Sequence, residues 1–266
     1  MGEESVLRLF GTARLAAEEA GRILLSGFGK AEQIDHKGAV DLVTEYDRAA
    51  EEAIVNVIRA RHPDHAIVAE EGHGAEGRSP WRWFVDPLDG TTNYAHGYPC
   101  FSVSIAAEHA GQTVLGVVHD PLHKEAFTAV RGEGALLNGN PIRVSRTDEL
   151  SESLLATGFP YDVRVHKDNN LNHFGSFVVR AQAVRRDGSA ALDLCYVAAG
   201  RFDGFWELKL APWDVAAGTL IVLEAGGRIT DFSGESEEID GREIVASNGL
   251  IHDAMLSVLA AGQAGE

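Results

Sequence analysis

The chain has 266 residues, of which 45% are hydrophobic and 24% charged, and its formal net charge is −17. This length suits one large domain or two tightly packed parts with a sizeable core. No apolar run approaches the ~18 residues of a membrane span, and the first residues do not form a secretory signal. The acidic charge disfavours direct binding to nucleic acids or anionic membranes. Cys100 and Cys195 lack metal-binding spacing, so we expect a reducing, cytoplasmic location.

In the first half, the hydrophobic pattern predicts an amphipathic helix over residues 5–25. A second helix is predicted from Thr44, a good N-cap with Asp47 three residues later, to about residue 61. Strands are then predicted over residues 66–69, 81–85, 101–107, 113–119 and 125–130. A tight turn at Asn138-Gly139 precedes a predicted strand over 142–144.

From about residue 150, strands and helices alternate. Strands are predicted over 153–157, 182–186 and 243–247, and around 205 and 228. Helices are predicted up to about residue 180 and over 189–199, 215–224 and 252–261. This order predicts an α+β part over residues 1–148 and an α/β part over 149–266, which form one compact catalytic unit of layered sheets and helices.

The segment from Trp81 to Asn93 carries closely spaced polar groups directly after an apolar strand. The strand is predicted to end on Asp86, because Pro87 cannot donate a hydrogen bond to a sheet. Asp89 follows three residues later, close enough for both carboxylates to reach one cation. Backbone N–H groups that can bind phosphate at a helix start come next, at Gly90, Thr91 and Thr92. An aspartate-capped turn would explain a bare DxxD, but the complete string favours a metal and phosphate site.

Three further segments contain acidic residues that fit either a structural or a catalytic role. Glu70 and Glu71 end a short apolar run and offer oxygen ligands, although glutamate pairs after strands are ordinary. Asp214 begins an apolar helix, where an isolated aspartate stabilises the helix dipole by ~0.3–1 kcal/mol. Asp47 suits capping together with Thr44, and it also suits accepting a proton from a hydroxyl group. None of the three is decisive alone.

Together these segments resemble the bacterial branch of the inositol monophosphatase family. The similarity runs over nearly the whole chain and keeps the family's order of motifs. The string Asp-Pro-x-Asp-Gly-Thr followed later by Trp-Asp is specific. The matching strings are Asp41-Leu-Val-Thr-x-x-Asp47, Glu70-Glu71, Asp86-Pro-Leu-Asp-Gly-Thr-Thr-Asn93, Arg185-Arg-Asp-Gly-Ser-Ala-Ala-Leu-Asp193, Gly200-Arg-Phe-Asp-Gly-Phe-Trp-Glu207 and Trp213-Asp214-x-x-Ala-Gly218.

The resemblance implies a layered α-β-α-β-α sandwich of the metal-dependent, lithium-sensitive sugar phosphatase type. It also implies two or three Mg²⁺ ions, for which Mn²⁺ is a possible substitute. Glu70, Asp86 and the Leu88 carbonyl would hold one ion, with a third, weaker ion near Glu70. Asp86, Asp89 and Asp214 would hold the second ion. Ligands that are all oxygen suit Mg²⁺ and differ from the Cys and His sets of zinc sites.

By the same resemblance, Thr91, Asp47 and Glu70 are the catalytic residues that orient the attacking water and help remove its proton. Lys37 matches a family lysine near the metal site. Carboxylate acceptors suit the vicinal hydroxyls of a phosphorylated polyol. The implied substrate contacts are Asp89, Gly90, Thr91, Thr92, Gly188, Ser189, Ala190, Glu207 and Asp214.

The sequence therefore predicts a Mg²⁺-dependent phosphomonoesterase that hydrolyses a small polyol phosphate, with inositol 1-phosphate first, by direct attack of metal-activated water. Fructose 1,6-bisphosphate, histidinol phosphate and adenosine 3′,5′-bisphosphate are the alternative substrates within the family. A regulatory or interaction protein on the same fold is the alternative from another class. The family also implies a homodimer. The sequence has no GxxxxGK[ST] loop for nucleotides and no Cx5R loop of a cysteine phosphatase.

Overall fold

The computed structural model of the protein describes residues 3–30, 34–36, 42–235 and 240–263. No helix within these ranges is both long and apolar enough to cross a membrane. The helices in these ranges are α1 (Glu3–Gly27), α2 (Glu45–Arg61), α3 (Thr91–Ala95), α4 (Leu171–Val178), α5 (Ala190–Ala198), α6 (Pro212–Glu224) and α7 (His252–Gln263). The strands are β1 (Ile34–His36), β2 (Leu42–Thr44), β3 (Ala66–Ala69), β4 (Trp81–Asp89), β5 (Ser102–His109), β6 (Gln112–Asp120), β7 (Glu125–Val130), β8 (Ala135–Leu137), β9 (Asn140–Pro141), β10 (Leu154–Thr157), β11 (Ala183–Arg185), β12 (Gly204–Leu208), β13 (Arg228–Thr230) and β14 (Glu243–Ser247).

A seven-stranded sheet in the order β3-β4-β5-β6-β7-β8-β9 carries α1 and α2 on one face. It is antiparallel except where β3 runs parallel to β4. The apolar stripe predicted for α2 is buried, since Ala50, Ile54 and Ile58 are each 0% exposed. Thr44 caps this helix as the sequence predicts, and it shares a capping box with Asp47. The hydrophobic pattern therefore fixes which face of α2 turns towards the sheet.

A second, five-stranded sheet has the order β11-β10-β12-β14-β13. Helices α5 and α6 lie between the two sheets, and their buried side chains form one core with residues from both. Helices α4 and α7 pack together on the outer face of the second sheet. The layer order is therefore α-β-α-β-α, and the predicted fold class is confirmed.

Strand β4 corrects one prediction from the sequence. The strand does not end on Asp86 but runs over Trp81–Asp89, and its pairing with β5 continues after a register shift between Asp86 and Asp89. Pro87 is tolerated there because a bulge interrupts the hydrogen-bond ladder. The irregular strand end brings both aspartates to the wall of one cavity.

The strand predicted over 142–144 is also absent from the described chain. The tight turn at Asn138 and Gly139, both with positive φ, is confirmed, and only Asn140–Pro141 pairs after it. Val144 instead donates its backbone N–H to the Ala225 carbonyl at the end of α6, 3.3 Å away. The segment therefore leaves the sheet after Ile142, whose N–H still donates to the Ala135 carbonyl of β8 at 3.0 Å.

The helix predicted up to about residue 180 is shorter than expected, because it begins only at Leu171. Asn170 precedes it in a left-handed conformation, with φ of 68°. The Asn170 amide donates to the Thr157 hydroxyl at 2.8 Å and to the Gly158 carbonyl at 2.6 Å, and it accepts from the Trp206 indole at 2.8 Å. A buried hydrogen-bond network around Asn170 thus takes the place of the expected helical turns. No local sequence pattern predicts this network.

Candidate active site

A cavity of about 310 Å³ lies where β4 and α3 meet the first turns of α5 and α6. Five carboxylates line it, and four of them form an acidic cluster: Glu70 after β3, Asp86 and Asp89 on β4, and Asp214 in α6. A larger groove of about 760 Å³ beside α1 holds no comparable acidic cluster. The other predicted site residues that line the smaller cavity are Leu88, Gly90, Thr91, Thr92, Gly188, Ser189, Ala190 and Glu207.

Asp86 is the most deeply enclosed of the four carboxylates, with 2% of its surface exposed. Its Oδ1 accepts a hydrogen bond from the Leu88 backbone N–H at 2.9 Å. Burial raises the pKa of Asp86 above its usual range, and the negative charges of Glu70, Asp89 and Asp214 raise it further. Like charges packed this closely in a low-dielectric site need either shared protons or a cation.

Asp89 connects β4 to the start of α5. Its Oδ2 accepts from the Ser189 hydroxyl at 2.5 Å and from the Ala191 N–H at 2.8 Å, and its Oδ1 accepts from the Ala190 N–H at 3.2 Å. The Ala190 and Ala191 N–H groups belong to the first turn of the helix, which has no partners for them within itself, and Ser189 is its N-cap residue. Burial raises the pKa of Asp89 to about 6, although these hydrogen bonds oppose the shift.

Asp214 lies in the first turn of α6, two residues after Pro212, with which the helix starts. Its Oδ2 accepts a hydrogen bond from the Ala211 backbone N–H at 2.7 Å. Burial raises the pKa of Asp214, and the charges of Asp89 and Glu70 add to the effect. The helix-start interpretation made from the sequence is therefore correct, and the same side chain also belongs to the acidic cluster.

Asp47 lies behind the cavity wall and contacts Thr91. It is fully buried, and its Oδ2 accepts from the Thr44 N–H at 2.9 Å and from the Thr44 hydroxyl at 2.5 Å. Its Oδ1 lies 2.9 Å from the Thr91 hydroxyl, which also lies 3.0 Å from the Leu88 carbonyl oxygen. Burial raises the pKa of Asp47, opposed by these hydrogen bonds. One oxygen thus caps α2 while the other orients a hydroxyl at the cavity.

Gly90 and Asn93 hold the turn after β4 against the start of α5. Gly90 has φ of 99°, and an added Cβ would lie 2.9 Å from the Cys100 carbonyl oxygen and 3.3 Å from that of Gly188. The Asn93 amide donates to the Asp187 carbonyl at 2.7 Å and to the Cys100 carbonyl at 2.8 Å. Position 90 therefore requires glycine, and the hydrogen bonds of Asn93 hold the loop that precedes Ser189.

Glu207 is the acidic residue that the second sheet contributes to the cavity. It lies on β12 and is 7% exposed. Burial raises its pKa to about 8, and the charges of Asp214 and Asp89 add to this, whereas Arg186 opposes it. Arg186 also lines the cavity, so a positively charged side chain lies close enough to interact with the acidic cluster.

The donor atoms fit a hard divalent cation. The four carboxylates and the nearby Leu88 carbonyl offer only oxygen, the ligand that Mg²⁺ prefers, and their mutual repulsion is what a bound cation would relieve. Among the described residues, no three His, Cys, Asp or Glu side chains are already arranged as a metal cage. Asp89 and Asp214 each turn an oxygen atom towards backbone N–H groups.

Sequence reasoning missed the contributions of two residues. Asn93 stands at the end of the main motif, yet its bridging contacts became visible only in the fold. Glu51 is buried on α2, four residues after Asp47, and that helical spacing was the available signal. The predicted metal-site lysine, Lys37, and the motif residue Asp41 lie outside the described residues.

Comparison with known proteins agrees with these motifs. The description "Inositol monophosphatase family" belongs to the family model that matches residues 8–264. The chain is 48% identical over 244 residues to a Synechocystis protein named inositol-1-monophosphatase, covering 91% of this chain and 85% of that one. It is 47% identical over 251 residues to a Pseudomonas aeruginosa protein named Nus factor SuhB, covering 92% and 93%.

A solved structure of the inositol monophosphatase from Anabaena superposes with a TM-score of 0.88 at 42% identity, and the match covers 97% of each chain. The structure of a Thermotoga maritima protein named IMPase gives a TM-score of 0.86 at 40% identity, covering 97% of this chain and 98% of that one. Fold, motif order and sequence identity thus agree over almost the whole length. This chain belongs to the inositol monophosphatase family.

Proposed function

We propose that the protein is a Mg²⁺-dependent phosphomonoesterase that hydrolyses a small polyol phosphate, with inositol 1-phosphate as the first candidate. The observation that carries the proposal is the convergence of four carboxylates with Thr91 on one cavity. Membership of a phosphatase family and the name of the Synechocystis relative support it. The oxygen-only donor set supports the choice of Mg²⁺, with Mn²⁺ as a possible substitute.

In this proposal Glu70, Asp86 and the Leu88 carbonyl would hold one cation, and Asp86, Asp89 and Asp214 would hold a second. A third, weaker ion would bind near Glu70. When bound, Mg²⁺ supplies positive charge against the phosphate dianion and the leaving oxygen, and it makes water more acidic.

Thr91 and Asp47 orient the attacking water and help remove its proton. The Thr91 hydroxyl has a single proton, and donating it to Asp47 Oδ1, 2.9 Å away, leaves its oxygen lone pairs to accept from water in the cavity. Glu70, which lines the same cavity, assists them. The backbone N–H groups of Gly90 and Thr91 bind the phosphate oxygens, with Thr92 beside them. Attack is direct and in line, so chirally labelled phosphate should show inversion; net retention would exclude this mechanism.

The leaving alcohol is recognised from the second sheet and α5. Glu207 and Asp89 accept hydrogen bonds from vicinal hydroxyls, and the segment from Gly188 to Ala190 provides neighbouring contacts. These groups lie around the same cavity as the acidic cluster, so a small polyol phosphate can reach both at once. Fructose 1,6-bisphosphate, histidinol phosphate and adenosine 3′,5′-bisphosphate are the alternatives to test. The predicted cytoplasmic location, homodimer, lithium sensitivity and division into 1–148 and 149–266 remain predictions.

The decisive experiment measures phosphate release from this panel of substrates in Mg²⁺ and in EDTA. Glu70→Gln should abolish Mg²⁺-dependent turnover, since it removes a ligand charge without removing a helix cap. Asp148→Asn is the matched control, because Asp148 is exposed and far along the chain from the acidic cluster. Turnover that persists in EDTA, or in Glu70→Gln at the wild-type rate, would refute the proposal.

A second candidate function is a regulatory or interaction role on the same fold. The observation that favours it is the 47% identity to the Pseudomonas aeruginosa protein named Nus factor SuhB. Complementation of a deletion strain separates the two functions. Full rescue by the inactive Glu70→Gln variant would support the interaction role, whereas failure to rescue would favour the enzymatic one.

A further inference from the structure

Glu51 is a fully buried carboxylate that the proposed reaction does not use. It lies on α2, and all three of its hydrogen bonds go to the turn after β3. Its Oε2 accepts from the Glu71 backbone N–H at 2.6 Å, and its Oε1 accepts from the His73 N–H at 2.8 Å and from His73 Nδ1 at 2.7 Å. A buried carboxylate is costly to retain, so this complete set of donors is what stabilises it there.

The turn that donates these hydrogen bonds to Glu51 also carries Glu70, which lines the cavity. The Glu70 N–H donates to the Val85 carbonyl of β4 at 3.2 Å, which anchors the start of the turn. Its far end is closed by Ile67 and Ala75, which exchange two backbone hydrogen bonds of 2.8 and 2.9 Å. Between these anchors, the Glu51 carboxylate accepts hydrogen bonds from the backbone N–H groups of Glu71 and His73, in place of a backbone carbonyl. The turn would otherwise need water to satisfy them.

One face of helix α2 therefore supports both Thr91 and the turn that carries Glu70. Asp47 and Glu51 are four residues apart, the spacing that puts side chains on the same side of a helix. Asp47 orients Thr91 through the bond of 2.9 Å, and Glu51 holds the turn that carries Glu70. The two groups proposed to handle the attacking water thus share a rigid support.

We propose that Glu51 is a positioning residue that holds Glu70 ready to bind a divalent cation, an inference that rests on the proposed function. Replacing it by glutamine puts an amide donor where two backbone N–H groups and the His73 ring already donate. One oxygen then has to serve all three donors, so the turn shifts and Glu70 is no longer held in place. Changes in residues that orient metal ligands typically weaken metal binding by ~10–100-fold.

The test compares Glu51→Gln with Glu52→Gln, because Glu52 is the next residue on the same helix and is exposed. Mg²⁺ binding to the complete protein is measured by calorimetry without substrate, and the Mg²⁺ dependence of turnover is measured separately. For Glu51→Gln we expect about tenfold weaker Mg²⁺ binding. We also expect a kcat that recovers at saturating Mg²⁺ and an unchanged KM for the polyol phosphate. Glu52→Gln should match the wild type in each measurement.

Two outcomes would overturn the inference: wild-type Mg²⁺ affinity in folded Glu51→Gln, or a kcat loss that saturating Mg²⁺ does not restore. If Glu51→Gln does not fold, His73→Ala decides, because it removes one donor and leaves the carboxylate. It should weaken Mg²⁺ binding, by less than Glu51→Gln does, and an unchanged affinity would overturn the inference. A wild type that binds Mg²⁺ but releases no phosphate would refute the proposed function only, since the affinity comparison does not depend on turnover.

Discussion

Replacing Thr91 by valine tests the proton-handling pair directly. Valine keeps the shape of the side chain but removes the hydroxyl that lies 2.9 Å from Asp47 Oδ1 and 3.0 Å from the Leu88 carbonyl oxygen. Thr91 is 7% exposed, and Asp47 is fully buried, so no bulk water replaces the lost donor. The change therefore removes the contacts of the hydroxyl with these two acceptors and leaves the packing in place.

The expected loss of stability follows from that burial. Leaving a buried acceptor without its donor costs roughly 1–3 kcal/mol. For a protein of this size, 1 kcal/mol corresponds to about 2–4 °C in Tm, so Thr91→Val should melt a few degrees lower but remain folded at 25 °C. The expected loss in kcat is larger, about 100-fold or more, because positioned proton transfer contributes ~10²–10⁴-fold.

The assay is kcat for phosphate release at saturating Mg²⁺, together with thermal unfolding of each variant. Thr91→Ser is the matched control, since serine keeps the hydroxyl and loses only a methyl group; it should retain kcat within about tenfold. A Thr91→Val enzyme that keeps wild-type kcat would refute the reasoning. Equal losses in the serine and valine variants would refute it as well, because the hydroxyl would then not be the cause.

Three further predictions concern the cation, the pH dependence and the backbone. Mg²⁺ should raise Tm relative to EDTA, because a cation that binds the folded cluster stabilises it by mass action; scanning calorimetry showing no shift would contradict this. Burial lowers the pKa of His252 to about 4, and the positive charge of Arg228 adds to the effect. Between pH 6.5 and 4.5, His252 therefore stays neutral in the folded protein but becomes protonated in the unfolded chain. His252 should therefore contribute a loss of roughly 2 kcal/mol of stability between pH 6.5 and 4.5, and this contribution should be the difference in pH dependence between the wild type and His252→Asn, as urea titrations at both pH values would show. Gly90→Ala should lower stability by about 1–3 kcal/mol and reduce kcat, because φ of 99° and the Cys100 carbonyl exclude a side chain; an active variant with wild-type Tm would contradict this.

Elements with local signals were predictable from the sequence. Helix α2 shows this best, because a cap at Thr44 and a regular apolar stripe agree with each other and with the sheet it covers. Strand β4 was predicted too short, since Pro87 argues locally for an end, whereas the neighbouring β5 supplies further pairing beyond the bulge. The start of α4 failed for a similar reason, because contacts of Asn170 with Trp206, distant in sequence, override local helix preference.

The candidate site divides in the same way. The acidic residues stand in motifs, so the sequence and the family resemblance brought them together before the fold was known. The contact of Asp47 with Thr91 spans 44 residues, and that of Glu51 with the His73 turn spans 22. No periodic pattern encodes such pairs. Asp47 was found because it lies in a family motif, and Glu51 was missed because it does not.

The sequence left capping and catalysis as competing explanations for single aspartates, and the structure shows that a capping aspartate can at the same time face the cavity or contact a residue that lines it. Asp47 gives one oxygen to Thr44 at the start of α2 and the other to Thr91. Asp89 accepts from the first turn of α5, and Asp214 accepts from the residue that precedes α6. Helices α5 and α6 therefore begin at the cavity and α2 begins behind its wall, and the N-termini of these helices carry partial positive charge. That charge offsets part of the repulsion within the acidic cluster and favours a bound phosphate. A carboxylate that fixes a helix end is itself fixed, so the capping bonds are also what hold the proposed metal ligands and the proton acceptor in place.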